Sequence, residues 1–506
     1  VHAVDGSRPV RPFTRMRQGR YAALAVGVAL VGCFTGGGSD SFPSSAVARD
    51  AGHDVGFDLP KMDSGLVDGA VVGKSSIRPS FGATTTADTP PPPISGGTLL
   101  VTADGSFAIA ADPDRDLVYG VDLAKRALAW TTALQAADEP GRVVEDGSGR
   151  VHVALRGGGA LVTLDEKTGA LVARRDACPA PRGVAWDATN DAVWVACATG
   201  ELVAFPAAGG GASQRWIVQR DLRDVVFADG AMEISTFRQP ELLRVESGAV
   251  VRRDDPPPLG IFAPQVAWRS VAAPDGSVVV VHQMETLAAL PTHQVNGYGG
   301  GCGMGEGPMP PPPSNAPLAG DASIVTCPSE TLSNFAQVGC DEEPGAVVGG
   351  LTVFASDGSV RANRLFPVSL SVDVAVSRDG TRFVVAVLGD AFTTNLGIAF
   401  LFDSCGNVSG AGLDFGATES EQPIAVAFDA AGELLVQTRE PATLWLVDPS
   451  TLSKSSISLS SVSRDDTGHD VFHTQAGAMI AGASCHPEGG DDGHTFTLDG
   501  AKRRTP

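Results

Sequence analysis

Basic residues are scarce in this chain. Its 506 residues hold 37 Lys and Arg against 58 Asp and Glu, a net charge of −21, and a field of that sign repels phosphate backbones, so no nucleic acid is expected as a partner. Long apolar runs are scarce too. The run at residues 21–31 is too short to cross a bilayer as a permanent helix. Also lacking are a P-loop, a dinucleotide fingerprint, a Gly-x-Ser-x-Gly elbow and a His-Glu-x-x-His helix, so nucleotide and classical hydrolase chemistry have no supporting motif. With 43% hydrophobic and 19% charged residues the composition fits neither wholesale disorder nor a membrane bundle, but one large or two ordinary globular domains.

The N-terminal region reads as an export signal. Met16 is followed by Arg17 and Arg20 and then by the apolar run, which ends in Leu30-Val31-Gly32-Cys33. Those four residues resemble a bacterial lipobox, which implies that residues 1–33 are upstream sequence plus signal peptide, with Cys33 lipidated. The resemblance places the body in the cell envelope, on the periplasmic face or cell surface, held to the membrane by a lipid anchor. Residues 34–96, rich in Gly, Ser, Asp, Thr and Pro, read as a flexible linker.

Export permits disulfides. Eight cysteines, less Cys33 for lipid and Cys485 discussed below, leave six. Cys178 and Cys197 flank a hairpin whose register brings positions summing to roughly 375–379 face to face, and 178 plus 197 is 375. A Cys178–Cys197 disulfide is expected. The pairing of Cys302, Cys327, Cys340 and Cys405 stays open.

From residue 97 onward short β-branched runs recur around an acidic turn, anchored at Asp104, Asp146, Asp187, Asp229, Asp275, Asp379 and Asp429. The spacings are 42, 41, 42, 46, 104 and 50, the one long gap lying between Asp275 and Asp379. A period of about 42 with four strands per unit is that of propeller blades. The third unit is the plainest, with strands expected at 182–187, 192–197, 201–205 and 215–219. Seven anchors predict an all-β, seven-bladed propeller of four-stranded antiparallel blades over residues 97–462. The long gap is an insertion at 284–350 in blade five, rich in Gly and Pro and carrying three cysteines. The blades resemble YVTN-type propellers of secreted bacterial proteins, a fold that hosts many chemistries and assigns none.

Residues 463–506 carry the most specific signal. Phe472-His473, then Ala483-Ser484-Cys485-His486-Pro487-Glu488-Gly489, Asp492-Gly493-His494 and Arg503-Arg504-Thr505-Pro506 resemble the opening of a di-haem cytochrome c peroxidase (MauG-like) domain, of which only the start is present. The resemblance implies haem c, with Cys485 as thioether site and His486 as axial ligand to the iron. Gly482 stands where the first cysteine of C-x-x-C-H would be, and no second haem motif follows. Peroxidase competence of these residues alone is not expected. Calcium at Asp491-Asp492-Gly493 is a further cofactor the resemblance implies, against the plainer reading of a solvated turn. The expected function is that of an exported, lipid-anchored redox protein transferring electrons with a donor protein. Two alternatives stand beside it: a non-enzymatic propeller that binds a partner through its funnel face and the Gly/Pro-rich insertion, and a propeller enzyme acting on a lactone or sugar.

Overall fold

Runs such as Phe107–Asp112, Arg150–Leu155 and Ala192–Cys197 combine β-branched and small apolar residues between tight turns, a pattern that favours short antiparallel strands. The anchoring aspartates sit in the hairpins between the first and second strands of each unit. There their carboxylates accept turn N–H groups: Asp146 Oδ1 from Ser148 at 2.8 Å, Asp379 Oδ1 from Thr381 at 3.0 Å and Asp429 Oδ1 from Ala431 at 2.8 Å. The computed structural model describes residues 81–290, 346–366, 368, 370–388, 397–406, 413–415, 421–474, 481–498 and 501–504. The chain divides into units at 1–68 and 69–506, and all described residues belong to the second. Cys33 and the signal peptide lie outside the described residues, as do Cys302, Cys327 and Cys340.

Seven four-stranded antiparallel sheets form a seven-bladed propeller. The innermost strands are the first of each blade: β1 (Leu99–Val101), β5 (Pro140–Glu145), β9 (Pro181–Asp187), β13 (Leu222–Ala228), β17 (Phe262–Ala272), β22 (Ser371–Val376) and β26 (Pro423–Phe428). Each packs beside the first strand of the next blade, β1 beside β26 included. Apolar side chains of neighbouring blades interdigitate between the sheets, as where Val184, Val193 and Phe205 of blade three meet Leu161 and Ala154 of blade two. Among the described residues no helix is long and apolar enough to cross a membrane.

Blade three matches its sequence reading closely, with strands Pro181–Asp187, Ala192–Cys197, Glu201–Pro206 and Gln214–Ile217. The Cys178–Cys197 disulfide forms across it, with Cα atoms 6.3 Å apart. Cys405 is disulfide-bonded as well. Blade five differs. Its second strand, β18, runs Val278–Thr286, past His282 where the sequence pattern fades, and pairs along its length with β20 (Val347–Phe354). Gly349 and Gly350 fall within the insertion expected at 284–350 but lie in β20, where a Cβ would sit 2.5 Å from the rings of Phe366 and His282 respectively.

The ring closes by packing and charge, without a shared strand. Leu99 and Tyr119 of blade one pack on Leu435 and Leu444 of blade seven. Alongside them the buried Arg115 pairs with Asp112 at 3.1 Å and with Glu440, and Arg439 pairs with Asp114 at 2.7 Å. The segment after the last blade joins this seam: Arg439 also reaches Asp470 at 3.2 Å, and Arg464 Nε donates to the Asp114 carbonyl at 3.0 Å.

Candidate functional site

The inner strands of four consecutive blades each carry an arginine: Arg142 in β5, Arg182 in β9, Arg223 in β13 and Arg269 in β17. First strands line the axis, so these guanidinium groups converge on the funnel, where burial makes an unpaired charge costly. Asp224 answers two of them, accepting from Arg142 Nε at 2.9 Å and Arg269 Nη1 at 3.0 Å. Burial alone would raise the Asp224 carboxyl, but Arg142, Arg269 and Arg223 outweigh it and hold it at about 2. Arg269 also reaches Asp373 at 3.2 Å. Burial raises the Asp373 carboxyl to about 6 in spite of that arginine.

The remaining arginines close on one carboxylate, and it comes from the C-terminal segment. Glu488 accepts from Arg182 Nε at 2.9 Å, pairs with Arg223, lies 3.5 Å from Arg156 Nη1, and accepts from Ser95 Oγ at 2.5 Å. Arg182 is shared with Asp221 at 2.6 Å and Arg156 with Glu139 at 2.9 Å. Arg223 is different. It is fully buried, its other hydrogen bonds go to the Trp268 and Ser95 carbonyls, and Glu488 is its one carboxylate partner among the described ion pairs. The guanidinium groups of Arg182 and Arg223 also lie over the Phe237 ring, 4.3 and 4.6 Å from its centroid. Burial pushes Glu488 up, yet Arg182, Arg223 and Arg156 together hold it well below the usual carboxylate range. Burial and the neighbouring Arg142 and Arg182 bring Arg223 down to about 10 against the pull of Glu488.

The segment that delivers Glu488 is fixed at both ends. Helix α1 (Thr467–His473) is capped by Asp466, whose Oδ1 accepts from His469 N at 3.0 Å while Oδ2 accepts from Ala87 N at 3.1 Å. The His473 imidazole is fully committed, Nδ1 donating to the His469 carbonyl at 2.8 Å and Nε2 accepting from Ile94 N at 3.1 Å. Burial drives it down to about 3, so it stays neutral. After α2 (Gly482–Cys485) and a 3-10 turn at Pro487–Gly489, strand β30 (Thr495–Leu498) pairs in parallel with β19 (Ala289–Leu290) and antiparallel with β31 (Ala501–Arg504).

Cys485 and His486 therefore sit on the funnel face. Cys485 is buried with Ala346, Val347 and Phe496. His486 is half-buried, and its Nδ1 donates to the Gly490 carbonyl at 2.9 Å. For a haem the fit is divided. The imidazole is oriented as an axial ligand is by a backbone carbonyl, but the Cys485 thiol is enclosed by side chains that a macrocycle would have to displace. At Gly482 a Cβ would come 2.6 Å from Phe472 Cδ2, so this packing has no room for the missing cysteine. The cavity lined by Ser95, Arg142, Arg156 and Arg182 measures about 20 Å³, room for one water and not for a cofactor. His494 lies 3.2 Å from Glu285, whose carboxyl is raised by burial and by Asp492. Among the described residues no group of three or more His, Cys, Asp or Glu could hold a metal ion.

The arginine set went unread in sequence. Its signal is the recurrence of Arg four to six residues ahead of Asp146, Asp187, Asp229 and Asp275, at Arg142, Arg182, Arg223 and Arg269.

No family model matches the chain and no curated protein matches it. Among solved structures it is similar to hydrazine synthase of Kuenenia stuttgartiensis, at 11% identity over 75% of this chain and 98% of that one, with a TM-score of 0.49. It is also similar to a streptogramin B lyase, at 9% identity over 69% and 92%, TM-score 0.45. A virginiamycin B lyase from Staphylococcus aureus gives 9% identity over 71% and 97%, TM-score 0.45.

Proposed function

We propose that this chain is an exported propeller whose funnel face is a docking platform, with a binding rather than a catalytic role, and that it holds the Cys485-His486 segment over the ring axis. The observation that carries the reading is the enclosure of the Glu488 carboxylate by Arg156, Arg182 and Arg223 from blades two, three and four. An appended module would touch the ring through a solvated rim, whereas this segment supplies the counter-charge of a fully buried arginine. Hydrogen exchange of the full chain tests the reading. Amides of residues 481–498 should exchange as slowly as those of β9 and β13, and rapid exchange there in an otherwise protected ring would refute it.

A second reading, haem attachment at Cys485 with His486 on the iron and electron exchange with a donor protein, is favoured by the His486 Nδ1 contact to Gly490. Haem would supply the redox chemistry, and His486 would orient it while the ring covers one edge. Expression alongside a c-type haem maturation system should give a Soret band lost on Cys485→Ala; an absorbance spectrum free of haem would end this reading. Calcium at Asp491 and Asp492 would show as a calcium-dependent melting temperature. Lipid anchoring at Cys33 belongs to the same proposal. Metabolic labelling with palmitate should mark the wild type and not Cys33→Ser.

A further inference from the structure

We infer that Arg156, Arg182 and Arg223, with Ser95, form a carboxylate-binding site on the propeller axis, and that Glu488 of the chain's own C-terminal segment is its resident ligand. The inference deepens the docking reading by naming the chemistry that the platform recognises. Its geometry is that of a receptor site. Donors from three separate blades and from the strand-entry residue Ser95 approach both oxygens of one carboxylate: Arg182 at Oε2, and Arg223, Arg156 and Ser95 at Oε1. The donors are pre-set without it. Arg182 is fixed by Asp221, Arg156 by Glu139, and Arg223 by the Trp268 and Ser95 carbonyls, while the Phe237 ring supports Arg182 and Arg223 from one side.

A second observation comes from the ligand side. Glu488 has φ 52 and ψ 27, the left-handed region that a residue with a Cβ adopts at a cost of about 1 kcal/mol, and glycine would adopt freely. Strain of this kind persists where the surroundings over-determine it, and here the carboxylate's donors act together with the turn's own bonds, Gly489 N to the His486 carbonyl and Gly490 N to the Pro487 carbonyl, both at 3.0 Å. The backbone turn Pro487–Gly489 places the carboxylate; it does not itself need a glutamate. Once Glu488 is absent, a fully buried Arg223 loses its one ion-paired carboxylate among the described residues, with Asp224 acting on it only through space, and a small carboxylate from solution meets the same donors.

The test is chemical rescue of the full-length protein. Glu488→Ala should melt at lower temperature than wild type, and acetate or formate at about 100 mM should raise its melting temperature by about 2 °C over chloride at equal ionic strength, saturably, as ligand linkage requires. Wild type, whose site is filled, should show no such increment, and Glu488→Ala/Arg223→Met should lose it. Glu488→Gly removes the carboxylate and relieves the strained φ, so it keeps the experiment readable should the alanine variant fold poorly. Equal response to acetate and chloride in both single variants would overturn the proposal, and so would an unchanged increment after Arg223 is replaced. Slow exchange of residues 481–498 in wild type would still stand in that event, so failure here is distinct from failure of the docking reading.

Discussion

Arg223 and Glu488, 265 residues apart in sequence, form an ion pair inside the funnel in which the arginine is fully buried. Removing one partner of such a pair leaves an uncompensated charge, whereas removing both does not. Glu488→Gln should therefore destabilise the protein by about 3–5 kcal/mol, and Glu488→Gln/Arg223→Met by less than the sum of the single changes. Chemical denaturation of the four proteins measures the coupling, and strict additivity would contradict it.

The same pair sets an acid limit. Glu488 is held well below the usual carboxylate range, so its contribution is present above the unfolded carboxyl range and lost as pH falls through its folded value. Wild type should lose stability more steeply than Glu488→Gln at strongly acidic pH, as read from melting curves at successive pH values.

His282 gives a separate pH signature. Burial lowers it from 6.5 to about 4, with Nε2 on Thr352 Oγ1 at 2.9 Å. The unfolded chain thus binds a proton that the native state refuses between these values, and stability falls as pH drops from 6.5 towards 4. Replacement by Asn should remove up to about 1.4 kcal/mol per pH unit from that slope. An unchanged slope would show that His282 is not buried neutral.

Reduction of Cys178–Cys197 should cost about 3 kcal/mol, since the bridge closes a separation of 19 residues in the unfolded chain. Urea unfolding with and without a thiol reductant reads this difference, with the Cys178→Ala/Cys197→Ala variant as the non-reducible control.

Gly482→Ala should destabilise by about 1–3 kcal/mol, because the added Cβ meets Phe472 at 2.6 Å. Shortening Phe472 to Leu in the same chain should recover part of the loss. A Gly482→Ala protein of wild-type stability would mean that the segment packs otherwise.

Much of the ring was legible because its information is local. The aspartate anchors mark hairpins that hold themselves together, and a strand such as Ala192–Cys197 carries its own alternation and turns. Even the Cys178–Cys197 bridge followed from hairpin register alone. What escaped was long-range. Nothing around Glu488 says that it faces Arg182, because their meeting depends on ring closure, and a left-handed glutamate looks like any other turn residue in sequence. Likewise Gly349 and Gly350 fall at the edge of a Gly-rich insertion in sequence, and the Phe366 and His282 rings that they accommodate lie across the sheet. The Cys485-His486 resemblance rests on a local pattern, whereas the packing of Cys485 against Ala346, Val347 and Phe496 is long-range and has no mark in that pattern.

The seam between the first and last blades bears on how the protein comes to be folded at all. Arg115 meets the Val462 carbonyl across 347 residues, Arg464 meets Asp114 across 350, and Thr85 meets Thr467 across 382. Contacts of such separation are late and slow to form. Blades two to six can assemble from local hairpins, but the ring stays an open arc until blade seven and α1 are available to meet blade one. A polypeptide built this way keeps its first and last blades apart for almost its entire length, so the stability of the seam is gained only once nearly all of the chain is available.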